Sequence, residues 1–329
     1  MAFSWKYPQH AHPSYWGPVT AQANFCEEDY ILTGYIAEVI NTASNLTYLL
    51  YAYHGIKSNA NHKDAIFRNL PYLGIAGVGI GSSIFHATLK NYTQWCDDLS
   101  MLIATATVLH RVFTFDKSLS VTVSSGLLIT LFMATFSTWH CITDELTMHS
   151  VLFGLMIATI GLKTRSIISA RVSNPLIKAQ VFKLCTWGSV IFVTGFAIWN
   201  VDNAICGKLT AWKRAVGMPW SFALELHGWW HVFTGAGAYI FIALVEYLTS
   251  EDAGKPLGGR FAFPVAWLVD GEAGKEKVEA NGNGHANGFA KANGAVKVNR
   301  SNGKANGNVN GNAKANGMAH ENGNAKKSL

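Results

Sequence analysis

The stretch HGWWH places His227 and His231 four residues apart at the start of an apolar run. On a helix that spacing stacks both imidazoles on one face, about 6 Å apart along the axis. Two rings so placed can hold a zinc ion, and a catalytic zinc site takes three protein ligands and leaves one position open. Taken alone, the pair also reads as two interfacial histidines beside the aromatic-belt residues Trp229 and Trp230.

Two further stretches can complete such a site. In GSSIFHATLKNYTQWCDDLSM, His86 closes one apolar run, and Asp97 and Asp98 open the next at the same membrane level. His86, His227 and His231 would supply three nitrogens, with a carboxylate near enough to handle the attacking water. The Asp pair equally suits the start of a helix, where acids are favoured. In NFCEEDYILTGYIAEVINTASN, Glu27, Glu28 and Asp29 precede a third apolar run, and Glu38, Asn41 and Asn45 share one helical face within it. Carboxylates and carbonyls gathered this way suit calcium, or else form a hydrated acidic loop.

The elements that must position these residues are membrane spans. Of the 329 residues, 49% are hydrophobic and 14% charged, well below the ~25% charged typical of soluble domains. Nine Lys/Arg and five acids fall from Asp270 onward, so the first 269 residues hold 17 and 15 and are close to neutral. The basic balance thus belongs partly to the tail, and nucleic acid is not the expected partner; the lipid bilayer is. Seven candidate spans lie at 35–56, 71–89, 97–115, 119–138, 148–162, 181–201 and 227–248, the fifth short and the second opening at Pro71. The first 25 residues lack the apolar core of a cleavable signal.

Ten Lys/Arg on the C-terminal side against five on the other predict a cytosolic C-terminus and a lumenal N-terminus. The expected organisation is a lumenal segment 1–34, a membrane domain 35–248 and a disordered Asn/Gly/Ala/Lys-rich tail 249–329. The tail ends in KKSL, a dilysine pattern of the kind read by cytosolic coat protein, which suits an endoplasmic reticulum or Golgi membrane.

In order along the chain, WGPVT…FCEEDY…YIAEVINTASN, GSSIFHATLK…DD, DNAIC and LHGWWHVFTGAGAY resemble the alkaline ceramidases from about Trp16 to Tyr247. That resemblance implies an all-α, seven-transmembrane bundle with an intramembrane zinc site, in the superfamily that includes the adiponectin-type receptors. It implies hydrolysis of the amide of ceramide or phytoceramide to a sphingoid base and a fatty acid, with the reverse acylation as a secondary possibility. By motif, His86, His227 and His231 would bind zinc, Asp97 would take the water's proton, and Ser82 would help hold the water or the oxyanion. Asn24, the Phe25 carbonyl, Glu27, Asp29 and Glu38 would bind calcium. Here the chain departs from the family's usual Asp-Trp-Cys-Glu-Glu-Asn: Asn24 and Asp29 exchange an Asp and an Asn, leaving the formal charge unchanged.

The resemblance also implies a disulfide between Cys26 and Cys206, both expected in lumenal loops, where such bonds persist. Cys185 is expected to be free, and Cys96 with Cys141 forms a weaker candidate pair. His149 is a candidate neighbour of the site. Two other functions compete: a receptor of the adiponectin type with structural zinc, and a metal or proton transporter. The receptors' long N-terminal cytosolic domain and opposite topology do not match this chain, and a transporter would need a polar path that the apolar cytosolic halves of the spans do not offer.

Overall fold

The computed structural model describes residues 3–269, which contain helices and loops and no strand. The helices are α1 (Val39–Ser44), α2 (Leu46–Asn59), α3 (Ala65–Thr88), α4 (Asn91–Thr114), α5 (Leu119–Thr143), α6 (Leu146–Arg171), α7 (Pro175–Val216) and α8 (Leu226–Thr249), with a 3-10 turn at Trp220–Leu224. Five of them, α3 and α5 to α8, are long and apolar enough to cross a membrane. The first and third expected spans do not meet that measure. The first is divided into α1 and α2, and α4 carries Gln94, Asp97 and Asp98 in its opening turns. The first falls short because α1 and α2 are each too brief to span alone, and α4, unbroken, because polar residues of the candidate site occupy its opening turns.

Several boundaries differ from expectation. The second expected span, α3, starts at Ala65 rather than Pro71, with Asp64 and Arg68 paired at 2.7 Å across its first turn and Pro71 left inside. The short fifth span is a 26-residue helix. Its polar end is satisfied by Arg171, which donates to the Leu248 carbonyl at 2.8 Å. The sixth is a 42-residue helix capped by Asn174, which accepts from Leu176 N at 3.0 Å; its regular geometry is interrupted at Ile205. At 1.5 Å per residue the regular stretch before Ile205 is about 45 Å long, already more than a ~30 Å hydrocarbon core.

α8 is the central helix. Tyr239, Ile240, Leu244 and Leu248 along it are fully buried, and Tyr239 stacks on Tyr51 of α2 at 4.5 Å. Small residues let its neighbours come close. A Cβ on Gly228 would sit 3.3 Å from Ile40 of α1, and one on Gly81 of α3 would meet the Cys96 carbonyl of α4 at 3.0 Å. α5 buries only Met133 and His140 and forms an outer, apolar surface.

The N-terminal segment is tied down over one end of this bundle. Trp5 and Met218 exchange backbone hydrogen bonds at 2.9 and 2.8 Å, Arg214 pairs with Glu28, and Thr20 and Ala21 both donate to the Leu89 carbonyl. Cys26 and Cys206 form the disulfide, while Cys96, Cys141 and Cys185 are free thiols.

The tail expected from residue 249 needs a correction at its start. Leu257, Phe261, Val265 and Val269 are buried against the α8 core, and Ala262 N donates to the Tyr239 hydroxyl at 2.8 Å. PLGGRFAFPVAWLV is apolar enough to pack, unlike the Asn-Gly repeats that follow it. Those repeats and the KKSL end lie outside the described residues.

Candidate metal centre

The three histidines converge. His86 comes from the last turns of α3, and His227 and His231 from the first two turns of α8, all buried. Ring centroids are 5.0 Å apart for His86 and His227, 4.9 Å for His86 and His231, and 4.6 Å for His227 and His231. One nitrogen from each lies within 4.8 Å of the others, and no other such group of His, Cys, Asp or Glu occurs among the described residues.

Each ring is oriented by something other than its two companions. The Glu38 carboxylate hydrogen-bonds Nδ1 of His86, and His86 Nε2 is left buried without a protein partner. Ser44 Oγ lies 2.7 Å from Nδ1 of His231, whose Nε2 is 3.5 Å from Ser82 Oγ. The Phe25 ring stacks on His227 at 3.6 Å. Metal-ligating histidines are held in this way, one nitrogen on a carboxylate or hydroxyl and the other turned inward. The orphaned His86 Nε2 and the matched donor set therefore fit a metal ion.

Glu38 is where the local fold departs from the expected helix. It precedes α1 in extended conformation (φ −120°, ψ 95°), and its amide donates to the His86 carbonyl at 3.0 Å. That backbone pairing sets the carboxylate against the imidazole. Glu38, Asn41 and Asn45 are fully buried, as an inward-facing polar strip should be, and Glu38 Oε1 and the Asn41 side chain lack partners.

The remaining acids of the N-terminal loop are less closely gathered. Glu27 turns both oxygens to the start of α1, accepting from Ile40 N at 2.7 Å and Asn41 N at 2.8 Å. Asn24 donates to Asp29 at 3.1 Å, and its own oxygen accepts from Phe25 N. Glu28 leaves the group for Arg214. Burial pushes the Glu27 carboxyl up to about 8, with the Glu225 carboxylate adding to the rise. Burial also raises Asp29, against the opposing Asn24 hydrogen bond, and lifts Glu225 to about 7 despite Lys213 beside it. Lys213 Nζ, itself buried, donates to Glu225 at 2.7 Å and to the Cys26 carbonyl at 2.6 Å.

Asp97 is half-buried beside Ser82, and both open with His227 and His231 into one cavity of about 950 Å³. Asp98 is anchored from behind: His140 Nε2 lies 3.3 Å from its carboxylate and His149 Nε2 lies 2.8 Å from its carbonyl. Sequence spacing points to the three histidines and the Asp97–Asp98 pair, and the family resemblance adds Ser82 and singles out Asp97. Neither identifies Ser44, His140 or the Phe25 ring, whose partners lie 42 to 202 residues away or stack without polar contact. A polar residue next to the Glu38/Asn41/Asn45 face was the available hint for Ser44.

Fold and site together define a helical, multi-pass membrane protein with a buried three-histidine centre at one end. The sequence pattern of the ceramidase family matches residues 17–269. The chain is 30% identical to the alkaline ceramidase YPC1 of Saccharomyces cerevisiae over 259 residues, covering 75% of this chain and 82% of that protein. It is 32% identical to alkaline ceramidase 3 of Mus musculus over 235 residues, covering 71% and 85%. A putative alkaline ceramidase of Dictyostelium discoideum, dcd3A, is 26% identical over 258 residues, covering 69% and 85%. The chain belongs to the alkaline ceramidase family, whose members are enzymes.

Proposed function

We propose that this protein is a zinc-dependent ceramidase that hydrolyses the amide of ceramide or phytoceramide to a sphingoid base and a fatty acid. The observation that carries the reading is the cavity itself. Asp97, Ser82, His227 and His231 stand at one end of a space whose remaining walls are mostly apolar, which suits a lipid with one polar, reactive linkage. The ceramidase names of the relatives supply the substrate class.

His86, His227 and His231 would hold the zinc. Bound there, zinc supplies the Lewis acidity that polarises an amide carbonyl and acidifies a water. Asp97 accepts the proton of the attacking water, and the Ser82 hydroxyl donates to the oxygen that becomes negative as the carbonyl carbon turns tetrahedral. Asp97 then returns the proton to the departing amine nitrogen as the C–N bond breaks. The same residues serve the reverse acylation where water is scarce.

Calcium is proposed for the adjacent N-terminal loop, with Asn24, the Phe25 carbonyl, Glu27, Asp29 and Glu38 as its oxygen donors. The raised carboxyls of Glu27 and Asp29 and the partnerless Glu38 Oε1 support it, since a divalent cation relieves clustered buried acids. The proposed topology counts α1–α2 and α4 with the five apolar helices as seven spans. The N-terminus is lumenal and the C-terminus cytosolic, in endoplasmic reticulum or Golgi membrane. A receptor with structural metal is not favoured by the relatives, which are named as ceramidases.

The test is release of free sphingoid base from ceramide by the detergent-purified protein, followed by mass spectrometry beside His231→Ala. Release by the wild type and not the variant is expected. Equal release from both would remove the metal centre from the reaction.

A further inference from the structure

The cavity does not end near the histidines. Along α6 it is lined by a continuous strip from Leu146 to Arg165, at alternating steps of three residues and one, the repeat of a single helix face. Ser189, Phe192, Val193 and Phe196 of α7 form the facing wall. His149 marks the level of the site, because its ring bonds the Asp98 carbonyl. From there to Arg165 is sixteen residues, about 24 Å of helix. That exceeds the ~15 Å of hydrocarbon in one leaflet of a ~30 Å core.

Polar groups mark only the two ends of the strip. His149 and Ser150 stand at the head, Arg165 at the foot, and the lining residues of α6 between them are Phe153, Gly154, Ile157, Ala158, Gly161 and Leu162. At the foot, Arg165 Nη2 donates to Thr186 Oγ1 of α7 at 3.0 Å, joining the two walls. Two glycines leave room along this open groove. A Cβ on Gly154 would meet nothing within 4 Å, and one on Gly161 would meet only Phe241, at 3.9 Å. They lie about 8 Å and about 18 Å from the level of His149.

We propose that the α6–α7 groove is a length gauge for one extended hydrocarbon chain of the substrate, with Gly154 and Gly161 setting its open depth and the Arg165–Thr186 bridge its end. The occupant follows from continuity: the groove opens from the catalytic cavity, its α6 wall is apolar between the ends, and the polar groups at its head stand where a lipid linkage would sit. The inference rests on the ceramidase reading for the identity of that lipid.

The test compares wild type, Gly154→Phe and Gly161→Phe as full-length purified protein. Two ceramide series are used, one varying acyl length and one varying sphingoid-base length from short to very long. Replacing a helical glycine by phenylalanine does not weaken the helix, and Gly154→Leu and Gly161→Leu serve where a ring prevents folding. Excluding two or more methylenes should lower the ratio of very-long-chain to short-chain turnover about tenfold in Gly161→Phe. In Gly154→Phe the loss should reach chains of intermediate length. The series whose profile moves identifies which chain occupies the groove. Folded variants with wild-type ratios in both series would overturn the proposal. If the wild type cleaves no ceramide, the ceramidase reading fails separately, and the gauge is read from thermal stabilisation by free fatty acids of graded length. Stabilisation that stops at shorter chains in Gly154→Phe than in Gly161→Phe supports it, and identical length dependence in all three proteins rejects it.

Discussion

The Glu38 carboxylate hydrogen-bonds Nδ1 of His86 although the two are 48 residues apart, and both side chains are fully buried. One carboxylate thereby orients an imidazole of the candidate metal centre while its other oxygen is buried without a hydrogen-bond partner. With that second oxygen among the proposed calcium donors, Glu38 would link the histidine centre to the N-terminal loop. Glu38→Gln should keep the fold and lower zinc affinity about tenfold to a hundredfold, as loss of a ligand's outer partner does. Metal content after dialysis against graded chelator measures this, and unchanged retention would separate Glu38 from the centre.

Ser44 should behave as a smaller version of the same effect. Its hydroxyl is the only side-chain partner described for His231 Nδ1. Ser44→Ala should loosen zinc about tenfold while Ser44→Thr largely preserves it, as read by the same competition.

Lys213 and Glu225 form a buried pair beneath the N-terminal segment, 2.7 Å apart. Removing one charge leaves the other buried alone, so Lys213→Met should destabilise the protein by about 3–5 kcal/mol. The double variant Lys213→Met/Glu225→Leu should recover most of that loss. Thermal unfolding of both variants decides it, and equal losses would mean the pair is not coupled.

Much of this site was legible in the sequence because its chemistry is local. Two histidines at helical spacing, a histidine followed by paired acids, and an inward polar strip can each be recognised within a few residues. The late start of the first helix at Val39 was not legible, because it depends on Glu38 pairing with the backbone of α3. Nor was the order of residues 250–269. Their apolar positions read as part of an Asn-Gly tail until Phe261 and Val265 are seen against α8. Long-range packing decided both.

That packing is itself testable. Phe261 is buried against the core helix, so Phe261→Ala should cost about 3–5 kcal/mol. An unchanged unfolding temperature would show that this segment contributes nothing to the membrane domain.

The most direct test measures metal content and ceramide turnover on the same preparations of wild type, His231→Ala and Asp97→Asn. The wild type should hold zinc and release sphingoid base, and His231→Ala should lose both. Asp97→Asn should keep the metal while turnover falls about a hundredfold or more, the effect of removing a general base. Wild-type turnover in Asp97→Asn, or base release by metal-free His231→Ala, would contradict the account.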